Sequence, residues 1–184
     1  MSTKLTETRS CFKPFNYAWA YEAWLQHEQS HWLHTELSMA EDVKDWQRKL
    51  TNEEKAYLTN IFRFFTQGDI DVAGAYVDNY LPYFKQPEVR MMLCGFAARE
   101  ALHVAAYSHL IETLGMPEST YNEFLEYEAM REKHEYLLEL SSKNGTRESI
   151  ATNIAAFSAF TEGMQLFSSF IMLLNFPRHG KMKS

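Results

Sequence analysis

Apolar positions recur every three to four residues along this chain and almost nowhere in strict alternation, which is the helical period. The stretch NYAWAYEAWLQHEQSHW, Asn16 to Trp32, is amphipathic in this way. SMAE sets Ser38 and Glu41 at capping-box spacing, predicting a short helix. TNEE repeats the device with Thr51 and Glu54 and predicts a long helix to about Tyr80, broken by Pro82. Pro87 suits a first helical turn and Gly115 the position just past a last one, and together they bound the next helix. Met116 to Ser142 reads as a turn, a short helix around Tyr121–Ala129 and another reaching Leu140. SKNGT is a loop, and a last long helix is predicted from about Arg147 to Asn175, stopped by Pro177. No repeat or linker interrupts the pattern. The expected fold class is all-α, a single domain over residues 1–184 built as a bundle of long helices, with 1–14 and 178–184 flexible.

Composition narrows the function. Hydrophobic residues make up 46% and aromatics 15%, enough for a dense interior and not a disordered composition. The net charge of -6 argues against a nucleic-acid surface. Cys11 and Cys94 lie in no paired spacing, so neither a thiolate metal site nor a disulfide is expected, and reduced cysteines fit a cytoplasmic protein. MSTKLTETRS has no apolar signal core, and FSSFIMLLNF is short for a bilayer span, so no membrane partner is expected.

The helix bounded by Pro87 and Gly115 carries the candidate chemistry. In AAREALHVAAYSHL, Glu100, His103 and Tyr107 stand at i, i+3 and i+7 and project together. Phe96, Ala97, Ala101, Val104 and Ala105 around them predict a helix buried almost all round. A carboxylate there is costly unless a metal ion or a buried base compensates. Glu-x-x-His sets a carboxylate oxygen and an imidazole nitrogen one turn apart, where both can meet one ion, and in four-helix di-iron proteins acids on neighbouring helices complete the site. Such acids exist here. Asp69 follows an aromatic stretch in FRFFTQGDIDV, with Asp71 and Asp78 as rivals, and Glu162 in AAFSAFTEGMQLFSSF is the least surface-like acid of the chain. The competing readings are a surface Glu–His pair, solvated aspartates and a buried base opposite Glu162.

FFTQGD, EALHVAAYSHLIETLG and AFTEG, with Glu100 thirty-one residues after Asp69, resemble the small, radical-generating subunit of class I ribonucleotide reductase over about Phe15 to Pro177. The resemblance implies a ferritin-like di-metal bundle. Asp69, Glu100, His103 and Glu162 would be metal ligands, with Glu100 bridging two iron ions, or a Mn/Fe or Mn pair, that carry an O2-derived bridge. Tyr107 matches the radical tyrosine. Trp32 falls where the family keeps a tryptophan for radical transfer. The implied activity is reduction of ribonucleotides to deoxyribonucleotides with a large catalytic subunit, the small subunits forming a dimer. Two family features are missing: a second Glu-x-x-His after the helix bearing Glu162, and the C-terminal tail that docks on the large subunit. The expectation is an N-terminal half of a split or truncated subunit, incomplete at its C-terminus, whose activity needs a companion C-terminal half.

Phe170, eight residues after Glu162, is the expected apolar wall beside Tyr107. His27, His31, His34 and His109 read as solvated. Two other functions fit the same residues: a different ferritin-like di-iron oxidase or iron store, and a non-catalytic helical partner whose acids hold no metal. A bundle lacking its last helices would also expose apolar faces such as Phe157 to Phe170 and pair through them.

Overall fold

The computed structural model describes residues 4–142 and 145–183, and no strand occurs among them. Six helices carry the fold: α1 (Ala18–Gln29), α2 (Ala40–Arg48), α3 (52–83), α4 (Pro87–Thr113), α5 (Glu128–Ser142) and α6 (Arg147–Arg178). Two of them change pitch. α3 winds as an α-helix over Asn52–Gly74, as a π-helix over Ala75–Tyr80, and ends in the turn Leu81–Tyr83. α6 is π-helical over Ala155–Leu166.

Several boundaries follow the sequence signals. Thr51 and Glu54 form the reciprocal box, Glu54 N–H donating to Thr51 Oγ1 at 3.2 Å and Thr51 N–H to Glu54 Oε2 at 2.9 Å. Gly115 sits at φ +71°, and Met116 N–H reaches Ile111 C=O while Gly115 N–H reaches Glu112 C=O, which closes α4 as a Schellman motif. Others differ. Ser38 makes no cap: the N-cap of α2 is Met39, and Glu41 pairs with Lys44 instead. Pro82 and Pro177 lie inside the last turns of α3 and α6, and each helix runs one residue past its proline. In place of a short helix near Tyr121, two 3-10 turns, Glu118–Tyr121 and Glu123–Glu126, tuck Thr120 and Phe124 into the interior. Of the expected SKNGT loop, residues 143–144 lie outside the described residues, as do 1–3 and 184 of the expected flexible ends.

α3 is the central rod, and α4 and α6 both run antiparallel to it. One apolar cluster joins Leu58 and Phe62 of α3 to Ile111 and Leu114 of α4 and Phe176 of α6. A second joins Val72, Ala75 and Tyr80 to Val89 and Leu93 of α4 and Phe157 of α6. Tyr57 stacks on Phe176 with ring centres 6.3 Å apart, and at the other end Tyr80 O–H donates to Asn153 Oδ1 at 2.6 Å. The two clusters bracket the middle of all three helices.

The segment before α1 holds defined contacts. Lys85 N–H donates to Leu5 C=O at 2.8 Å and the Gln86 amide to Glu7 C=O at 2.7 Å. Fully buried Glu88, in the first turn of α4, accepts the backbone N–H groups of Asn16 at 2.8 Å and Tyr17 at 2.9 Å and so satisfies donors at the start of α1. At the other end of α1, Arg99 donates to the carbonyls of His27 at 2.8 Å and Ser30 at 3.0 Å.

α6 presents an uncovered apolar stripe. Phe160, Met164, Phe167, Ile171 and Leu174, spaced three and four apart, are each more than half exposed. FSSFIMLLNF is thus one part of a 32-residue helix that is long and apolar enough, by length and composition, to cross a bilayer, with 17% of its most apolar window buried.

The Gly115 conformation yields a stability prediction. A Cβ at φ +71° meets its own backbone, so Gly115→Ala should cost roughly 1–2 kcal/mol. Denaturant unfolding checks this, and an unchanged midpoint would show that the α4 terminus relaxes freely.

Candidate metal centre

Between the two apolar clusters, α3 and α4 present Asp69, Glu100 and His103 to one another. One ligand atom from each falls within 4.8 Å of the others. Asp69 and Glu100 are only 4% and 8% exposed, while His103 is half-buried. His103 Nδ1 lies 3.0 Å from Glu100 Oε2, a hydrogen bond across one turn, and 3.7 Å from Asp69 Oδ2, too far for one. Asp69 Oδ2 is buried without a hydrogen-bond partner. Glu162 arrives from α6, lining with Asp69 a small cavity walled by Phe64, Phe65, Gly68, Thr161 and Leu166. Glu162 stands on π-wound backbone, where a Cβ on neighbouring Gly163 would stand 3.0 Å from the Ser158 carbonyl oxygen. The structure therefore brings the four expected ligand residues to one region.

Like charges in a drying environment set the titration. Burial first, then the Glu100 charge, push Asp69 up to about 7. Burial, then Glu100, likewise push Glu162 to about 7. The Glu100 hydrogen bond, opposed by burial, raises His103. An orphaned, buried carboxylate oxygen beside a second acid and an imidazole is a set that a hard or borderline divalent cation would satisfy, displacing the proton shared by His103 and Glu100.

Tyr107 is half-buried one turn beyond His103, and burial foremost, then Asp69, Glu100 and Glu162, push its phenol well above the ordinary range. Its ring stacks on Phe65 at 4.9 Å, and Phe65 in turn meets Phe170 at 5.7 Å. Phe170 is thus one ring removed from Tyr107, and Phe65 is the contacting wall. The signal for it was present, since Phe65 precedes Asp69 by one turn and shares its face. Trp32, in the link after α1, stacks on His103 with centres 6.3 Å apart.

The rival acids are accounted for elsewhere. Asp71 accepts from the Gln67 amide at 2.8 Å and pairs with His134 at 2.7 Å on the side facing α5, and Asp78 is exposed. α4 is not buried all round as expected: residues 102–110 are half-buried rather than enclosed. Three of the histidines read as solvated are packed instead. His27 lies 4.9 Å from Phe96, its pKa lowered by burial and then by Arg99, and His34 meets His109 edge-on at 5.5 Å.

Comparison with known proteins bears on this geometry. A family model described as "Ribonucleotide reductase, small chain" matches residues 9–184. The chain is 54% identical over 191 residues to a protein of Invertebrate iridescent virus 6 described as a probable ribonucleoside-diphosphate reductase small subunit, covering 97% of this chain and 53% of the relative. A protein of the same description in Invertebrate iridescent virus 3 is 54% identical over 195 residues, covering 98% and 52%. The chain spans about half the length of these curated relatives. Among solved structures, the ribonucleotide reductase R2 subunit from Clostridium botulinum superposes with a TM-score of 0.83 at 24% identity, covering 91% of this chain and 54% of that one. A dimanganese(II) NrdF of Streptococcus sanguinis does so at 0.77 and 22%, covering 94% and 62%. At such identity these likenesses speak for the fold, which is the helical bundle described above.

The raised acids predict a pH dependence for the metal-free protein. A carboxyl whose folded pKa is about 7 binds more protons folded than unfolded from about pH 4 upward, so stability falls as pH rises through that window. His103, also raised, loses its contribution in the same direction as pH passes its folded value. Thermal melting should therefore occur at higher temperature at pH 5 than at pH 8. Asp69→Asn, which removes a charge and keeps the shape, should raise the melting temperature at pH 8 and flatten the profile; a profile as steep as the parent's would place its source outside the cluster.

Proposed function

The chain belongs to the family of ribonucleotide reductase small chains, and from that premise we propose that it supplies the metal- and radical-bearing part of a ribonucleoside-diphosphate reductase. The observation that carries the reading is the convergence of Asp69, Glu100 and His103 within 4.8 Å around a buried, unpartnered carboxylate oxygen. Asp69, Glu100, His103 and Glu162 would hold the metal. Carboxylate-rich ligation with a single imidazole favours iron or manganese over copper or zinc. When bound, such a centre would supply a one-electron oxidant after reaction with O2.

The rest of the chemistry falls to the chain's own residues. Tyr107 stays protonated in its buried setting and gives up an electron together with a proton, for which the neighbouring carboxylates are acceptors. Phe65 keeps water and reductants from the resulting radical. Trp32, stacked on His103, offers the path by which the hole leaves toward a large catalytic subunit, where the ribonucleotide is reduced. We further propose that the remaining ligands, a second Glu-x-x-His, come from a segment seated on the apolar stripe of α6, and that small subunits pair as a dimer. The two free cysteines, Cys11 and Cys94, fit a cytoplasmic setting.

Electron paramagnetic resonance on the metal-loaded complex, with companion segment and large subunit present, tests the reading. Tyr107→Phe should leave folding and metal content intact, since it removes one oxygen and little volume, and should abolish both the persistent tyrosyl signal and nucleotide reduction. Trp32→Phe should keep the signal and lose turnover. His103→Ala should weaken metal binding by at least the roughly 10–100-fold seen when a ligand's outer partner is lost. Metal bound without any radical would favour a ferritin-like oxidase, and acids that bind no metal a structural half-subunit.

A further inference from the structure

α3 and α4 carry one pattern twice: an acid with a phenylalanine four residues before it and a tyrosine seven after. On α3 it is Phe65, Asp69 and Tyr76, and on α4 it is Phe96, Glu100 and Tyr107. At these spacings each trio shares a helix face. Because the two helices lie side by side and antiparallel, the pattern closes on itself. Tyr107 of α4 rests on Phe65 of α3 with centres 4.9 Å apart, and Tyr76 of α3 rests on Phe96 of α4 at 6.1 Å. An approximate two-fold axis thus passes between Asp69 and Glu100, with one phenol on each side of the acids. The role proposed above uses only Tyr107.

We propose that Tyr76 is a second oxidisable tyrosine of this centre, set on the opposite side of the acids from Tyr107. The inference rests on the metal- and radical-bearing reading above. Burial, and after it the charges of Glu100 and Glu162, hold the Tyr76 phenol protonated far above neutral pH. Its oxidation therefore moves an electron and a proton together. The electron passes to the oxidised iron or manganese pair, which is reduced by one. The O–H bond breaks, its proton goes to the carboxylate of Glu100 or Glu162, and a neutral phenoxyl remains. The two sides then differ in what surrounds the radical. The ring against Tyr107 is phenylalanine, whereas Tyr76 also meets Tyr80 edge-on at 5.6 Å, a phenol able to return an electron and a proton. Return from Tyr80 re-forms the Tyr76 O–H bond and leaves the hole on Tyr80, so a radical at Tyr76 is short-lived and the oxidising equivalent that Tyr107 does not take passes to this pair of tyrosines.

The test is freeze-quench electron paramagnetic resonance of the metal-loaded complex after mixing with O2. The parent should show a persistent tyrosyl signal. Tyr107→Phe should replace it with a transient one that changes shape when the protein is made with ring-deuterated tyrosine and falls to background in Tyr107→Phe/Tyr76→Phe. A single variant silent at all times, or a transient that survives in the double variant, overturns the inference while the parent signal upholds the reading beneath it. A parent without any tyrosyl signal overturns both. Should the double variant fail to load metal, peptide mapping of Tyr107→Phe after repeated oxidation decides: hydroxylation at Tyr76 or Tyr80 supports the proposal, and hydroxylation confined to other tyrosines overturns it.

Discussion

Mutual repulsion of carboxylates away from water is the constraint around which this molecule is organised. Asp69, Glu100 and Glu162 approach one imidazole from three helices, and the protein itself supplies too few hydrogen-bond donors to settle them. Such a cluster opposes folding. It is tolerated because apolar clusters above and below it clamp the same three helices, and because the capping box at Thr51 and the Schellman motif at Gly115 fix helix ends on which the register depends. The unfavourable middle is held open by favourable ends, an arrangement that leaves the acids ready for a cation.

Changes of helical pitch accompany that arrangement. α3 turns π-helical six residues after Asp69, and α6 is π-helical across Glu162 itself. Widening a turn rotates every later side chain relative to an ideal α-helix, and π-turns are frequent where a helix must aim a functional group. Thr161 Oγ1 donating to the Ala156 carbonyl five residues back, and the closeness of Gly163 to the Ser158 carbonyl, are local marks of this winding.

Much of this was legible from residue order alone. The Thr51–Glu54 box, Pro87 at the start of α4 and Gly115 at its end are local devices whose chemistry is self-contained, and they appear where expected. Glu100, His103 and Glu162 stood out as candidates because acids in apolar helical settings need an explanation that lies outside the helix, while the choice of Asp69 over Asp71 and Asp78 came from the family resemblance. What escaped the sequence depends on contact between elements. Ser38 had the right spacing for a cap, but the helix begins one residue later. Phe170 had the right phase, but Phe65 stands in between. Tyr76 went unnoticed because its relation to Glu100 exists only once α3 and α4 are laid antiparallel. The π-helical segments have no propensity signature and follow from packing.

α4 touches the N-terminal arm along its length, from Glu88 at the start of α1 through Arg99 at its end to His103 at Trp32. The arm is therefore indexed to a single rod, and the fifteen residues from Glu88 to His103 span about 22 Å at the helical rise. Electron tunnelling weakens exponentially with separation, so for the proposed hole transfer the quantity that matters is the spread of one gap, between the indole and the imidazole. Here the imidazole is carried by α4, and the arm that bears the indole is anchored to the same helix by Glu88 and Arg99. Whatever shifts α4 along its axis therefore carries the imidazole and the anchors of the indole-bearing arm together.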